Sequence, residues 1–174
     1  RTARSQRRII RRRKQRRRTT FKLLQNQGLF PNTKEETQKL KLLNPYELRI
    51  KALDEKLEPF ELGRVLFNLS VRRGFKSNRK DGSQEEIKEN SKSENLTQSG
   101  KCTNLANAIK ESGYRTLGEF LWKNKEQNKG IRFAPDRMEY YPTRQLYIDE
   151  FNLIRKKQET FYSNINWDKI YDSI

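Results

Sequence analysis

A chain of 174 residues with 39 Lys and Arg against 22 Asp and Glu, and with no histidine at all, has no imidazole for proton transfer and no Cys/His set for the usual zinc centres. Its single cysteine, Cys102, leaves no partner for an internal disulfide and reads as an unpaired thiol of a reducing cytosol. Only 32% of residues are hydrophobic, so any core is thin or divided among helix pairs, and no apolar run approaches the ~20 residues that span a bilayer.

The charge sits at one end. Residues 1–22, RTARSQRRIIRRRKQRRRTTFK, hold ten arginines, two lysines and no acid. Without them, 27 basic residues face 22 acidic ones, a net of +5 over the other 152. A run this dense repels itself in water and finds its complement in an equally dense negative partner, of which a phosphate backbone is the obvious one. Residues 1–27 contain no Gly or Pro and suit a helix. On that helix Arg4, Arg8, Arg12 and Arg16 form one row, Arg7, Arg11 and Arg18 lie beside it, and Arg13 and Arg17 lie opposite. A helix polar all round has no packing face, so it is disordered alone or held by partners on several sides. Gly28, with Pro31 beyond it, is the expected stop, and Phe21, Leu23 and Leu24 are the expected anchor. The run lacks the apolar segment of a secretory signal, and a start without methionine inside a charge run suits a piece of a longer polypeptide.

Asn44-Pro45 predicts a second helix start, a capping residue followed by proline at the first helical position, with Glu47 in the first turn. Tyr46, Ile50, Leu53 and Leu57 are its predicted apolar face. Pro59 opens the next helix, with Leu62, Val65, Leu66 and Leu69 as the stripe and Gly74 as the stop. Two such helices across a tight turn imply an antiparallel pair; a helix-turn-helix DNA reader has a similar outline, but the turn and recognition helix expected of one do not follow in register. Residues 81–100, DGSQEEIKENSKSENLTQSG, predict a mobile polar loop. Leu105, Ala108 and Ile109 then predict a short helix ending at Gly113, Leu117, Phe120, Leu121 and Trp122 another, and Tyr147, Phe151 and Ile154 a helix over 144–158. The predicted fold class is all-α, a long arginine-rich helix followed by a helical domain carrying a mobile polar loop.

Catalysis has little to work with. The acids fall in clusters such as Asp54, Glu55, Glu58 and Glu61, or Glu85, Glu86 and Glu89, which read as solvated helix faces rather than a metal-binding nuclease centre. No phosphate loop, nucleophile elbow or dinucleotide fingerprint is present. Phosphate contacts by the arginine run would position a nucleic acid without reading its sequence. An arginine-rich tail, disordered until bound, fits the same composition. A second basic motif, RRGFKSNRK over 72–80, places Arg72, Arg73, Lys76, Arg79 and Lys80 around Gly74, Phe75, Ser77 and Asn78. Some of these cations can cap a helix C-terminus, but five in nine residues exceed that need and suit an RNA backbone clamp with a stackable ring.

Together the two motifs resemble the RNA-guided DNA endonucleases of type II CRISPR systems, the Cas-nine family. RTARSQRRIIRRRKQR is similar to that family's arginine-rich bridge helix, and LNPYELRIKALDEKLEPFELGRVLFNLSVRRGFKSNRK to the start of its recognition lobe. IRFAPDRMEYYPTRQLYIDEFNLIRKKQ resembles a later recognition-lobe segment through Arg132, Arg137, Tyr141, Arg144, Glu150 and Gln158. The resemblance implies four segments: a bridge helix over 1–28, a helical hairpin with its basic motif over 29–80, a flexible loop over 81–100 and further recognition-lobe helices over 101–174. It implies that Arg1, Arg4, Arg7, Arg8, Arg12, Arg13 and Arg16 hold the seed of a guide RNA. Arg11 joins this candidate RNA-binding set, while Arg11, Arg17 and Arg18 make the run denser than the family pattern and are open to solvation. Arg72, Arg73, Lys76, Asn78, Arg79, Lys80, Arg132, Arg137 and Arg144 would contact the guide scaffold or its repeat duplex. The implied partners are guide RNA (crRNA and tracrRNA) and the target DNA strand paired to it, in the cytoplasm of a prokaryotic cell, with no membrane. No cofactor is expected in this segment and no catalysis; magnesium is expected for the parent nuclease, whose catalytic acids are not in these 174 residues. An acidic phage-encoded anti-CRISPR protein is a further expected partner. A generic ribonucleoprotein component remains the alternative, followed by a helix-turn-helix regulator.

Overall fold

The computed structural model describes residues 3–72, 74, 98–124 and 140–174. Among them the regular elements are all helices, eight in chain order: α1 Ala3–Asn26, α2 Lys34–Leu42, α3 Pro45–Asp54, α4 Pro59–Val71, α5 Gln98–Glu111, α6 Leu117–Lys123, α7 Arg144–Gln158 and α8 Trp167–Tyr171. The all-α expectation holds. The chain forms two compact units, one of Arg1–Arg72 with Phe151–Ile174 and one of Arg73–Glu150, with the division falling inside α7.

In the first unit the stop after α1 follows from glycine. Gly28 adopts φ +71, its N–H donates to the Gln25 carbonyl at 2.9 Å, and the Leu29 N–H donates to the Leu24 carbonyl at 2.9 Å. This is the Schellman pattern, and its apolar contact is present as well, since Leu24 and Leu29 are both buried. The caps expected of α3 are in place: the Asn44 side chain accepts from the Tyr46 N–H at 3.0 Å with Pro45 behind it. Helix α4 begins at a reciprocal box, in which the Glu61 carboxylate accepts from the Glu58 N–H at 3.2 Å.

The predicted stripe of α4 is the centre of this unit: Leu62, Val65, Leu66 and Leu69 are all fully buried, each contributing about 2 kcal/mol of apolar burial. Packing against the α1–α2 connection is close enough to demand a missing side chain. A Cβ at Gly63 would lie 1.8 Å from the Leu29 carbonyl oxygen. Phe21, Phe30 and Phe67 close this contact as an edge-to-face trio, with centroids 5.0, 5.6 and 6.3 Å apart.

The buried face of α3 departs from expectation. Tyr46 and Leu57 are buried, but Ile50 and Leu53 are only half-buried, and the positions turned inward are Leu48, Arg49 and Ala52. Arg49 is fully enclosed: its guanidinium sits 5.0 Å over the Tyr46 ring and donates to Asn68 Oδ1 at 3.2 Å, so charge and shape are both accommodated. Gln158 ties α7 to the hairpin turn, its amide donating to the carbonyls of Ala52 at 2.8 Å and Glu55 at 2.6 Å while its oxygen accepts from the Leu57 N–H at 3.2 Å.

In the second unit Leu105, Ile109, Leu117, Phe120, Leu121 and Tyr147 are buried, as the periodicity predicts, while Ala108 and Trp122 are half-buried. Gly113 has φ +69 just beyond α5. Glu150, buried, accepts from the Gly118 N–H at 2.8 Å near the start of α6. Within 81–100, Gln98–Gly100 are the first residues of α5 and not loop, and 81–97 lie outside the described residues. Helices α2 and α8 have no counterpart in the sequence reading, although Thr33 and Glu36 carry a capping signal, the Glu36 N–H donating to Thr33 Oγ1 at 3.4 Å.

Candidate nucleic-acid interface

Arginine is a fair helix former, and nothing in residues 3–26 interrupts a helix. Like charges at i, i+4 nevertheless oppose it by about 0.2–0.5 kcal/mol per pair. Helix α1 therefore propagates outward from an anchored end, where Thr20 and Leu24 are buried and Phe21 joins the aromatic trio. The Gln27 side chain just beyond it accepts from the Asn166 N–H at 3.1 Å.

Outward from that anchor the helix carries cations and little else. Arg4, Arg7, Arg8, Arg11, Arg12, Arg13, Arg16, Arg17 and Arg18 are all exposed. Among the described residues no carboxylate pairs with any of them; Arg7 donates a long 3.4 Å bond to the Ala3 carbonyl within its own helix. The ion pairs in view lie elsewhere, Arg155 with Asp168 at 2.8 Å and Arg115 with Glu119 at 3.2 Å. Among the described residues the field around α1 is thus uncompensated, and the arginines extend over every side of the helix. Phosphates need just this geometry, because they contact guanidinium groups without a fixed register.

Of the residues expected to hold the seed, Arg4, Arg7, Arg8, Arg12, Arg13 and Arg16 are exposed on α1, as is Arg11 of the wider RNA-binding set, and Arg1 lies outside the described residues. Arg11 and Arg18, surplus to the motif, line a groove of about 360 Å3 along α1 with Lys14, Gln15, Thr19 and Lys22. Of the second motif, Arg72 is half-buried at the end of α4, its N–H bound to the Leu69 carbonyl at 3.0 Å, while Arg73, Lys76, Asn78, Arg79 and Lys80 lie outside the described residues, as do Arg132 and Arg137. Gly74 lies against the Thr143 backbone with φ +62. Arg144 opens α7, half-buried, with its Nε buried and unbonded among the described residues.

Two residues that carried the resemblance, Glu150 and Gln158, are buried and hydrogen-bond backbone groups, Glu150 the Gly118 N–H and Gln158 the Ala52 carbonyl. Beyond Phe60 no residue of α4 is exposed, so the second helix of the hairpin has no free face to lay in a DNA groove. Among the described residues no group of three or more acidic or cysteine side chains could hold a metal ion. Among them, too, no helix is long and apolar enough to cross a membrane.

The chain matches no protein-family model. It is 29% identical over 145 residues to the CRISPR-associated endonuclease Cas9 of Campylobacter jejuni, a match that takes in 76% of this chain and 13% of the relative. The fold matches C. jejuni Cas9 solved in complex with sgRNA and target DNA, with a TM-score of 0.71 and 26% identity, over 98% of this chain and 24% of that one. A complex of St1Cas9 with sgRNA, tDNA59 and ntPAM has the same fold at a TM-score of 0.68 and 22% identity, over 97% of this chain and 18% of that one. The chain thus spans a small part of the length of the proteins it matches.

Proposed function

We propose that this chain, a fragment of a Cas9-family protein, is the part that holds guide RNA, with α1 as the bridge helix and the helices after it as the beginning of the recognition lobe. The observation that carries this reading is the set of exposed arginines from Arg4 to Arg18, unpaired with any described carboxylate on a helix anchored at its far end. The C. jejuni relative was solved with sgRNA and target DNA, which supports RNA and DNA as partners of this segment. Arg4, Arg8, Arg12 and Arg16 hold the guide backbone from one side and Arg7 and Arg13 from others, while base pairing outside the protein reads sequence. DNA cleavage belongs to other parts of the parent protein.

The test is binding to a matched guide scaffold and to an unrelated structured RNA of equal length across a salt series. The expected result is a preference for the scaffold that persists at high salt, on top of a steep slope shared by both RNAs. Equal affinities and equal slopes would leave only a polycation and favour the ribonucleoprotein alternative. The same uncompensated charge supports a second partner, an acidic phage-encoded inhibitor that covers α1 and blocks guide loading. Pull-downs with Arg8→Glu and Arg12→Glu should lose that inhibitor, and retention would remove this partner.

A further inference from the structure

Beside the arginine row lies a groove to which the guide-backbone contacts assign nothing. It encloses about 600 Å3 between α1, α2 and α4. Its floor is Phe21, Phe30, Phe67 and Leu40, and its charged rim is Lys14, Arg17, Arg18, Lys22, Lys41 and Arg64, with no carboxylate in the lining. Phe21 and Phe67 are half-buried and keep part of their surface toward solvent. Arg64 is out of place for a solvated cation: its Nε is buried with no hydrogen-bond partner among the described residues, and its Nη2 makes only a long 3.4 Å bond to the Lys41 carbonyl. Burial pulls its guanidinium below its ordinary value. A partly desolvated guanidinium whose Nη2 has only a long bond favours an anionic oxygen.

We infer that this groove seats a single unpaired nucleotide of RNA, its base against the phenylalanine floor and its phosphate among Lys41, Arg64 and the α1 cations. An aromatic floor under a cationic rim suits both halves of a nucleotide, whereas an unbroken duplex offers it only phosphate. Lys14, Arg18 and Lys22 recur every four residues, about 6 Å along the helix axis, and continue the side of α1 that carries Arg7 and Arg11, so a backbone following that side arrives over the groove. An acidic amphipathic peptide shares the charge but does not explain that continuity.

The inference rests on the RNA-binding reading, and its test separates the two. The whole chain is titrated, at one salt concentration, with a short RNA duplex bearing one unpaired adenosine, the same duplex with an abasic residue at that position, and the fully paired duplex. The adenosine form should bind about tenfold tighter than the abasic form. Phe67→Leu should bring that ratio near one while leaving the salt slope unchanged. Lys41→Gln, at an exposed rim position that folding does not need, should weaken the adenosine form several-fold and the paired duplex hardly at all. Equal binding of adenosine and abasic forms overturns the pocket and leaves the RNA reading standing. Failure of all three RNAs to bind overturns both. Preferential capture of an acidic, leucine-rich peptide, lost in Lys41→Gln, assigns the groove to protein and overturns the nucleotide.

Discussion

The outer stretch of α1 and the α3–α4 hairpin both present guanidinium groups, and they use them in opposite ways. On α1, Arg4 to Arg18 are exposed and meet no described carboxylate. In the hairpin, Arg49 is completely enclosed, stacked on Tyr46 and bonded to Asn68, and Arg64 is half-buried. An exposed guanidinium keeps its hydration and costs the fold only mutual repulsion, so it is free for a ligand; a buried one has already exchanged water for protein and now supports the fold. The same side chain therefore predicts binding in one region and stability in the other.

Breaking the hairpin should give the largest effects. Arg49→Ala leaves Asn68 without its partner and a cavity under Tyr46, and should cost about 3–4 kcal/mol in denaturant unfolding while the RNA salt slope stays as it was. Gly63→Ala should cost about 3 kcal/mol, read as a lowered melting temperature, because the new methyl meets the Leu29 carbonyl. In an open helix the same change would stabilise by roughly 1 kcal/mol, so the sign tests the close approach.

Arg8→Gln, Arg12→Gln and Arg16→Gln combined should do the reverse. Affinity for RNA should fall about a hundredfold at low salt and the salt slope should become shallower by about 2 to 3, with melting unchanged or slightly raised. A large loss of melting temperature in this variant would end the contrast between the two regions.

The smallest effect concerns pH. Cys102 is buried and its thiol is pushed up by desolvation, so the folded state favours the neutral form. The resulting stability is complete below the ordinary thiol pKa, about 8.5, and is lost as pH rises through the higher folded value. Unfolding free energy should decline slightly above about pH 9, more in the native chain than in Cys102→Ala. Tyr162 is shifted up as well, chiefly by burial and then by Glu58 and Glu61, and extends the decline to higher pH.

Much of this molecule is local and was legible residue by residue. Charge segregation into residues 1–22 required only counting. The α4 stripe, the Asn44-Pro45 start and the Gly28 stop each depend on neighbours within a turn or two, where periodicity and capping chemistry act directly. Thr33 and Glu36 carried a signal for α2 as well, but at nine residues that helix has too few apolar positions for its period to stand out.

The face of α3 was not legible, because spacing alone does not say which side another helix will cover. Ile50 and Leu53 look more buriable than Arg49, and the order was reversed by Tyr46 and Asn68 offering a ring and an oxygen in the right places. The need for glycine at position 63 comes from a carbonyl 34 residues earlier in the chain. The groove draws its floor and rim from three helices and the α1–α2 connection, none of which contains a recognisable motif for it. Composition and short-range pattern fixed where the charge lies and where the helices run, since both are set by a residue and its immediate neighbours. Which cations are spent on the fold, and which remain for a ligand, was decided by side chains brought together from distant parts of the chain.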